Sequence, residues 1–495
     1  MKFKQILRTI EQDDIDQANN VILLVKANER FEKDSPFPYA DVIKNRLKRF
    51  QVKDLSKNSL VCDLPNPVGT RISVIGVQVN NPTFECLSLA RKTVKKHMST
   101  QPEALSIVML NLDAQTEQAY IEAFAAALLA ASHQLPDYKS TPKSTSLLKQ
   151  VTIYGLTKKH NLKRTQAVAT GNNIARSLTT QPSNKLTPAC YLEEVKTLAK
   201  KYHWSLDFID LNKLQQKKAG AFLAVAQGSD NNEAGIIHLR YEPHSKKKYP
   251  NKKLALVGKG ICYDTGGTNL KPSKSMYGMH EDMEGSAVAL GTLVAFTELK
   301  VDFPIDCWLA LSNNMIGPKA YKQNDVITAL NGTTIEIVHT DAEGRMVLAD
   351  TLSLACETHP SIIIDYATLT GSCVAALGTR YSGVMSNRNE WLNQLILAGK
   401  ESGERVWPFP MDEDYDEALE SQIADVKQCT LANEADHILG ARFLNRFVNN
   451  IPWVHLDLSS GNHKGGLAHI PSDITGVGVG YTLNLVLDQA LFQNT

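Results

Sequence analysis

Apolar positions along the chain fall into two kinds of run. "SLVCDL", "RISVIGVQV" and "ALSIVMLNL" are short and rich in aliphatic residues, and predict buried strands. "EQAYIEAFAAALLAASHQL" is longer and predicts a helix. A polar stretch with a proline and no helical period, "DYKSTPKSTSLLKQ" at 137–150, then breaks the pattern, and "VTIYGLT" after it reads as a strand. A first α/β domain is expected over residues 1–160 and a second over 161–495. The first offers no cluster of catalytic residue types.

The second part alternates strands and helices. "KLALVGKG", "CWLALS", "IEIVHT", "SIIIDYATL" and "WVHLDLSS" read as strands, and "EGSAVALGTLVAFTEL" and "GRMVLADTLSLACET" as helices. Continuous apolar strands belong in a sheet covered on both faces. The expected architecture is therefore α/β with two domains: a smaller N-terminal one, and a larger C-terminal one with a mixed sheet flanked by helices. In such sheets the site lies at the C-terminal ends of strands.

Composition narrows the function classes. The 495 residues are 43% hydrophobic and 21% charged, ordinary for a globular chain. The 53 basic and 52 acidic residues leave a net charge of +1, so nothing demands a nucleic acid or an anionic membrane as partner. The basic runs "RKTVKKH" at 91–97 and "HSKKKYPNKK" at 244–253 read as solvated faces or loops, without the aromatic interleaving of a nucleic-acid surface. The first residues lack the apolar core of a signal peptide, and no apolar run approaches the ~20 residues that span a bilayer, so a cytoplasmic location is expected. Eight scattered cysteines with no C-x-x-C pair read as reduced, mostly buried thiols.

The candidate chemistry gathers at the predicted strand ends. "KGICYDTGGTNLKPSKSMYGMHEDMEGSA" follows "LALVG" and contains Lys259, Asp264, Lys271, Asp282 and Glu284. It matches neither the phosphate-loop pattern G-x-x-x-x-G-K-[ST] nor the zincin H-E-x-x-H. "HTDAEGRMVLADTL" adds Asp341, Glu343 and Arg345 before an apolar helix. Each residue has an ordinary reading. "TDAE" fits a capping box, Asp282 an N-cap, Glu284 a first-turn acid, Asp264 a turn residue and Lys259 a solvated loop lysine. Jointly they fit a two-metal hydrolytic site, in which Asp264, Asp282, Asp341 and Glu343 balance two divalent cations.

The runs "VGKGICYDTGGTNLK", "MHEDMEGSA", "TDAEGRMVLADTL" and "DYATLTGS" resemble the leucyl aminopeptidase (cytosol aminopeptidase) family of dinuclear metallopeptidases. The similarity covers roughly residues 165–495 and includes "ARSLTTQPSNKLTP"; the N-terminal domain matches in position and size only. The resemblance implies a hydrolase that releases N-terminal residues from peptides with a free N-terminus, by attack of a metal-bridged water. It implies Lys259, Asp264, Asp282 and Glu343 as ligands of one metal, and Asp264, Asp341 and Glu343 as ligands of the second. Lys271 becomes the electrophilic lysine and Arg345 the holder of a bicarbonate ion that shuttles protons. Met279, Thr368, Leu369 and Gly371 fall on substrate-site positions. Implied cofactors are two divalent ions per subunit, Zn²⁺ or Mn²⁺ with Mg²⁺ or Co²⁺ as alternatives, and bicarbonate. The implied assembly is a homohexamer. A nucleic-acid-binding role on the same scaffold and a dipeptidase-type activity on cysteinylglycine are the competing readings.

Two positions depart from the family pattern. His339 stands where Asn is usual, and Glu284 where a small residue follows "DM". His339 could tune the site through a hydrogen bond. Glu284 either faces the metals or points away as a helix-start acid.

Overall fold

A computed structural model describes residues 1–27, 35–141, 148–229, 233–243, 252–432, 434–489 and 491–493. The basic run at 244–253 lies outside the described residues except for its last two, and so does the middle of the polar stretch at 137–150. The chain divides into two compact units, one of Met1–Gln166 with Leu467–Pro471, the other of Ala167–Gly466 with Ser472–Thr495.

The smaller unit holds a six-stranded sheet in the order Lys2–Gln5, Gln150–Tyr154, Ala104–Leu110, Asn20–Lys26, Arg71–Val77, Leu60–Asp63. Its neighbours are parallel except the last pair. Side-chain alternation along Asn20–Lys26 sends Ile22 and Leu24 to the face covered by the helices Thr83–Met98 and Ala114–Ala131. It sends Val21, Leu23 and Val25 to the face covered by Ala40–Arg49.

The larger unit is built on an eight-stranded mixed sheet. Its order is Val406–Pro408, Ser382–Ser386, Trp453–Asp457, Ile362–Ala367, Leu254–Asp264, Ile305–Asn314, Gly235–Tyr241, Ser205–Asp210. The four central strands, Trp453–Asp457 to Ile305–Asn314, run parallel, and antiparallel pairs flank them. A separate three-stranded sheet joins Val326–Thr328, Thr334–Glu336 and Val426–Lys427.

Both faces of the central sheet are covered. Leu254 and Leu256 pack with the helix Glu284–Leu299, and Ala255 and Val257 with the helix Glu343–Cys356. Glu284–Phe296 and the whole of Glu343–Cys356 are buried, which explains why neither helix carries a polar stripe. Each fully buried aliphatic side chain here contributes roughly 1.5–3 kcal/mol. The first of these helices rides directly on the strands. A Cβ at Gly285 would lie 2.1 Å from the Tyr366 carbonyl oxygen, so only glycine lets the helix start this close to the strand end.

All eight cysteines are free thiols; six are buried, Cys62 is half-buried and Cys190 exposed. Among the described residues no helix is long and apolar enough to cross a membrane.

Candidate active site

Four segments deliver the site, two of them directly at C-terminal ends of central parallel strands. Leu254–Asp264 carries Lys259 and ends on Asp264. Gly266 and Gly267, both with positive φ (87° and 64°), then turn the chain back, and the Lys271 N–H bonds the Thr265 carbonyl at 2.9 Å. Lys271 thereby returns beside Asp264. Asp282 follows a short 3₁₀ turn, Met279–Glu281. Thr368, Leu369 and Gly371 follow the strand Ile362–Ala367. The fourth segment is the start of the helix Glu343–Cys356, which supplies Glu343 and Arg345, with Asp341 just before it.

The capping expectations for these turns fail. The helix at Glu343 has Ala342 at its N-cap and no side-chain cap, so "TDAE" is not a capping box. The Thr340 hydroxyl instead donates to the Gly266 carbonyl (2.6 Å) and accepts from the Asn269 N–H (2.8 Å), tying the two ligand-bearing loops together. Asp282 is not an N-cap either, because Met283 holds that place. The demand for convergence at the sheet edge overrides the local capping preference.

The charged groups interlock. Lys259 Nζ lies 2.7 Å from Asp282 Oδ1 and 2.9 Å from Glu343 Oε1, and donates to the Thr368 carbonyl at 2.9 Å. Lys271 Nζ lies 2.8 Å from Asp264 Oδ2 and also pairs with Asp341. Carboxylate oxygens of Asp264, Asp341 and Glu343 lie within 4.8 Å of one another and could hold a metal ion. Asp282 Oδ2 is buried without a hydrogen-bond partner. Burial and then repulsion from Asp264 push the Asp341 and Glu343 carboxyls up. Burial likewise raises Asp282, against the pull of Lys259. Burial alone would lower the Lys259 ammonium, but Asp282, Glu343 and Asp264 together hold it above its usual range. Four carboxylates against two ammonium groups, with one orphaned oxygen, is a donor set that fits divalent cations.

All eleven residues predicted for the site line one cavity of about 530 Å³: Lys259, Asp264, Lys271, Met279, Asp282, Asp341, Glu343, Arg345, Thr368, Leu369 and Gly371. Arg345 is fully buried. Its Nη2 donates to both Asp436 oxygens (2.8 and 2.9 Å) and its Nη1 to the Gln428 carbonyl (3.0 Å). His339 accepts the Asp341 N–H on Nδ1 at 3.2 Å, and burial, then Lys271, push its imidazole down. Glu284 does not point out to solvent. It lines the same cavity, only 2% exposed, with Oε1 unpartnered. A Cβ at Gly461 would lie 2.2 Å from Glu284 Oε2, so a side chain there would displace this carboxylate. Burial, with Glu281 alongside, pushes the Glu284 carboxyl up to about 8.

Sequence reading missed three participants. Asn314 donates to Asp264 Oδ1 at 2.8 Å and to the Thr340 carbonyl at 3.0 Å. Asp457 accepts the Leu369 N–H (3.1 Å) and the Thr370 hydroxyl (2.6 Å), fixing the loop whose Thr368 carbonyl meets Lys259. Asp436 is the third. Asn314 and Asp457 each end an observed strand, but in the sequence they lie two residues past "CWLALS" and within "WVHLDLSS", so neither carried a signal of its own.

Fold and site together define an α/β protein with a cation-type acid and lysine cluster at the ends of parallel strands. The chain belongs to the cytosol aminopeptidase family, whose catalytic-domain model matches residues 173–483. It is 41% identical over 310 residues to a probable cytosol aminopeptidase of Wolbachia pipientis wMel, covering 62% of this chain and 61% of that one. A probable cytosol aminopeptidase of Pseudomonas fluorescens (strain SBW25) is 33% identical over 427 residues, 83% of this chain and 85% of the relative. The matched segment thus spans about three fifths of the first relative's length (61%) and more of the second's. Among solved structures, a mutant of tomato leucine aminopeptidase superposes with a TM-score of 0.85 at 27% identity, over 98% of this chain and 96% of that one.

Proposed function

We propose that this chain is a metal-dependent aminopeptidase, with residues 161–495 as its catalytic domain. One observation carries the reading: Lys259, Asp264, Asp282, Asp341 and Glu343 converge with Lys271 in one cavity, in a chain of this family. Lys259, Asp264, Asp282 and Glu343 would hold one divalent cation, and Asp264, Asp341 and Glu343 a second. Such cations, when bound, lower the pKa of a water and polarise a carbonyl. Cation binding requires Lys259 to give up the proton that its acidic neighbours hold in place here.

The protein's own groups do the rest. Lys271, held as an ammonium ion by Asp264 and Asp341, would stabilise the oxyanion that develops on the scissile carbonyl. Asn314 and Thr340 fix the ligand loops, and Asp457 fixes the Thr368–Gly371 wall against which the substrate lies. A free α-amine is an obligatory anchor for substrate, which sets the exopeptidase register. By resemblance we expect Zn²⁺ or Mn²⁺, a homohexamer and a cytosolic setting; mass determination in solution tests the assembly. Bicarbonate on Arg345 is the family expectation. The anion facing Arg345 here is Asp436.

The test is hydrolysis of Leu-p-nitroanilide and its N-acetylated form by Mn²⁺- or Zn²⁺-loaded and by chelated protein. Cleavage of only the free-amine substrate, and only with metal, supports the reading. Equal cleavage of both forms, or full activity after chelation, overturns it.

A further inference from the structure

Arg345 raises a problem of chemistry. A buried guanidinium opening onto a hydrolytic cavity offers a planar fork for a carboxylate-like anion. In this chain both Nη groups are already engaged, while Nε is buried without a hydrogen-bond partner. Both oxygens of Asp436 accept from Nη2, at 2.8 and 2.9 Å, and the Gln428 carbonyl takes Nη1. Burial alone would lower Arg345, but Asp436 outweighs it and the guanidinium stands above its usual range.

Asp436 is delivered by unusual backbone. It is the first residue of the helix Asp436–Asn445, and Ala435 before it adopts φ 51°, ψ 24°, a left-handed conformation that is strained for a non-glycine residue. The next residue is pinned: the His437 N–H donates to Ser372 Oγ at 2.9 Å, and His437 Nδ1 lies 2.9 Å from the same atom. The Asp436 side chain keeps 13% of its surface open and lines the cavity that holds Lys259 and Lys271. A residue that served only to neutralise Arg345 would need no opening to that cavity.

We propose that Asp436 is a catalytic residue: its carboxylate, seated on Arg345, supplies within the chain the planar carboxylate that a bound bicarbonate would otherwise supply. This rests on the aminopeptidase reading. In the reaction the water oxygen bonds to the scissile carbonyl carbon and its proton passes to Asp436. As the C–N bond breaks, Asp436 returns that proton to the leaving amine. One water is consumed, its hydroxyl ending on the acid and its proton on the amine, and Asp436 is restored.

The test compares Mn²⁺-loaded full-length protein with its Asp436→Gly and Asp436→Asn variants, in carbonate-free buffer and with added bicarbonate. The unsubstituted protein is expected to be indifferent to bicarbonate. Asp436→Gly opens space on Arg345, so its kcat should fall by about 10²–10⁴-fold, the usual share of a general acid–base group, and recover at least tenfold with bicarbonate. Asp436→Asn keeps the side-chain volume; it should fall similarly, with little recovery. A second readout is independent of turnover: bicarbonate should raise the melting temperature of Asp436→Gly and leave that of the unsubstituted protein unchanged. Strong bicarbonate activation of the unsubstituted protein would overturn the proposal. So would Asp436→Asn at full turnover without carbonate, or an inactive Asp436→Gly that bicarbonate neither stabilises nor rescues. If no form cleaves a free-amine substrate, the aminopeptidase reading fails, and the melting shifts alone decide whether Asp436 occupies a bicarbonate seat.

Discussion

Gly344→Ala tests the site at its tightest point. Gly344 is the second residue of the helix Glu343–Cys356 and is flanked by Glu343 and Arg345. A Cβ there would lie 2.6 Å from Lys259 Cε and 2.8 Å from its Nζ. Relaxed contacts between such atoms are ~3.5–4.0 Å, so the end of Lys259 must move by about 1 Å. Lys259 is fixed by Asp282, Glu343 and the Thr368 carbonyl, and that movement breaks the set. A ~1 Å misplacement of an active group costs about 10²-fold in rate. Stability of the metal-free protein should fall, because moving Lys259 leaves the buried Asp282 and Glu343 carboxylates unpaired, offset only in part by the ~1 kcal/mol that Ala gains over Gly inside a helix. The assay is kcat/KM on Leu-p-nitroanilide, with metal content and melting temperature measured alongside. Gly344→Ala is expected to lose about 10²-fold, bind metal more weakly and melt lower. Turnover within a factor of two at normal metal content would refute the assigned role of Lys259.

Further outcomes follow from the same contacts. Lys271→Ala should cut kcat by about 10²–10³ while metal content stays intact; metal loss as well would make it a structural residue instead. Asp341→Ala should abolish turnover without unfolding the protein, measured by activity beside a thermal melt; near-full turnover would sink the two-cation assignment. Chelation should lower the melting temperature as well as activity, and added Mn²⁺ or Zn²⁺ should restore both, since a cation bound only by the folded chain adds its binding free energy to stability. In the smaller unit, burial and then the nearby Arg71 and Lys96 push His97 down to about 4. Its neutral ring bonds Asn20 and Ser73. A depressed histidine gives its full stability above the unfolded value near 6.5 and loses it as pH falls towards 4, here about 2–3 kcal/mol. Denaturant midpoints at pH 7 and 4.5 should therefore fall more steeply for the native chain than for His97→Gln, and parallel slopes would discard the argument.

The sequence exposed the parts of this molecule whose signals are local. "LALVG", "IIIDYA" and "WVHLD" are continuous apolar runs because their sheet is buried on both faces, so periodicity found them. Fixed spacing of acids and lysines after such strands marked the cavity. Capping, the ordinary reading of Thr340 and Asp282, fails because those residues answer to loops brought close by the fold rather than to their own helix. The strand Asn20–Lys26, central in its sheet, sits among charged neighbours that mask it. The return of Leu467–Pro471 to the smaller unit has no local signature at all.

Glu284 and Arg345 show why a local pattern cannot fix the chemistry of a buried charge. Glu284 breaks the family's small-residue position, and alone it could face either way. Its direction depends on Gly461, a residue 177 positions later, which leaves the carboxylate room. Arg345 fits the family pattern, yet its working partner is Asp436, 91 positions on and held by a strained Ala435. In both cases the chemistry belongs to a pair, and the pair exists only once helices and strand ends have met. A change that places a charge in a buried cavity must be answered by space or by an opposite charge, because an uncompensated buried ion costs several kcal/mol. The answer to Arg345 is charge, from Asp436. The answer to Glu284 is space at Gly461 and a carboxyl pushed up by burial and by Glu281, which holds its proton into neutral pH. Such compensations are where two chains with the same ligand motif come to differ in the anion they need and the substrates they admit.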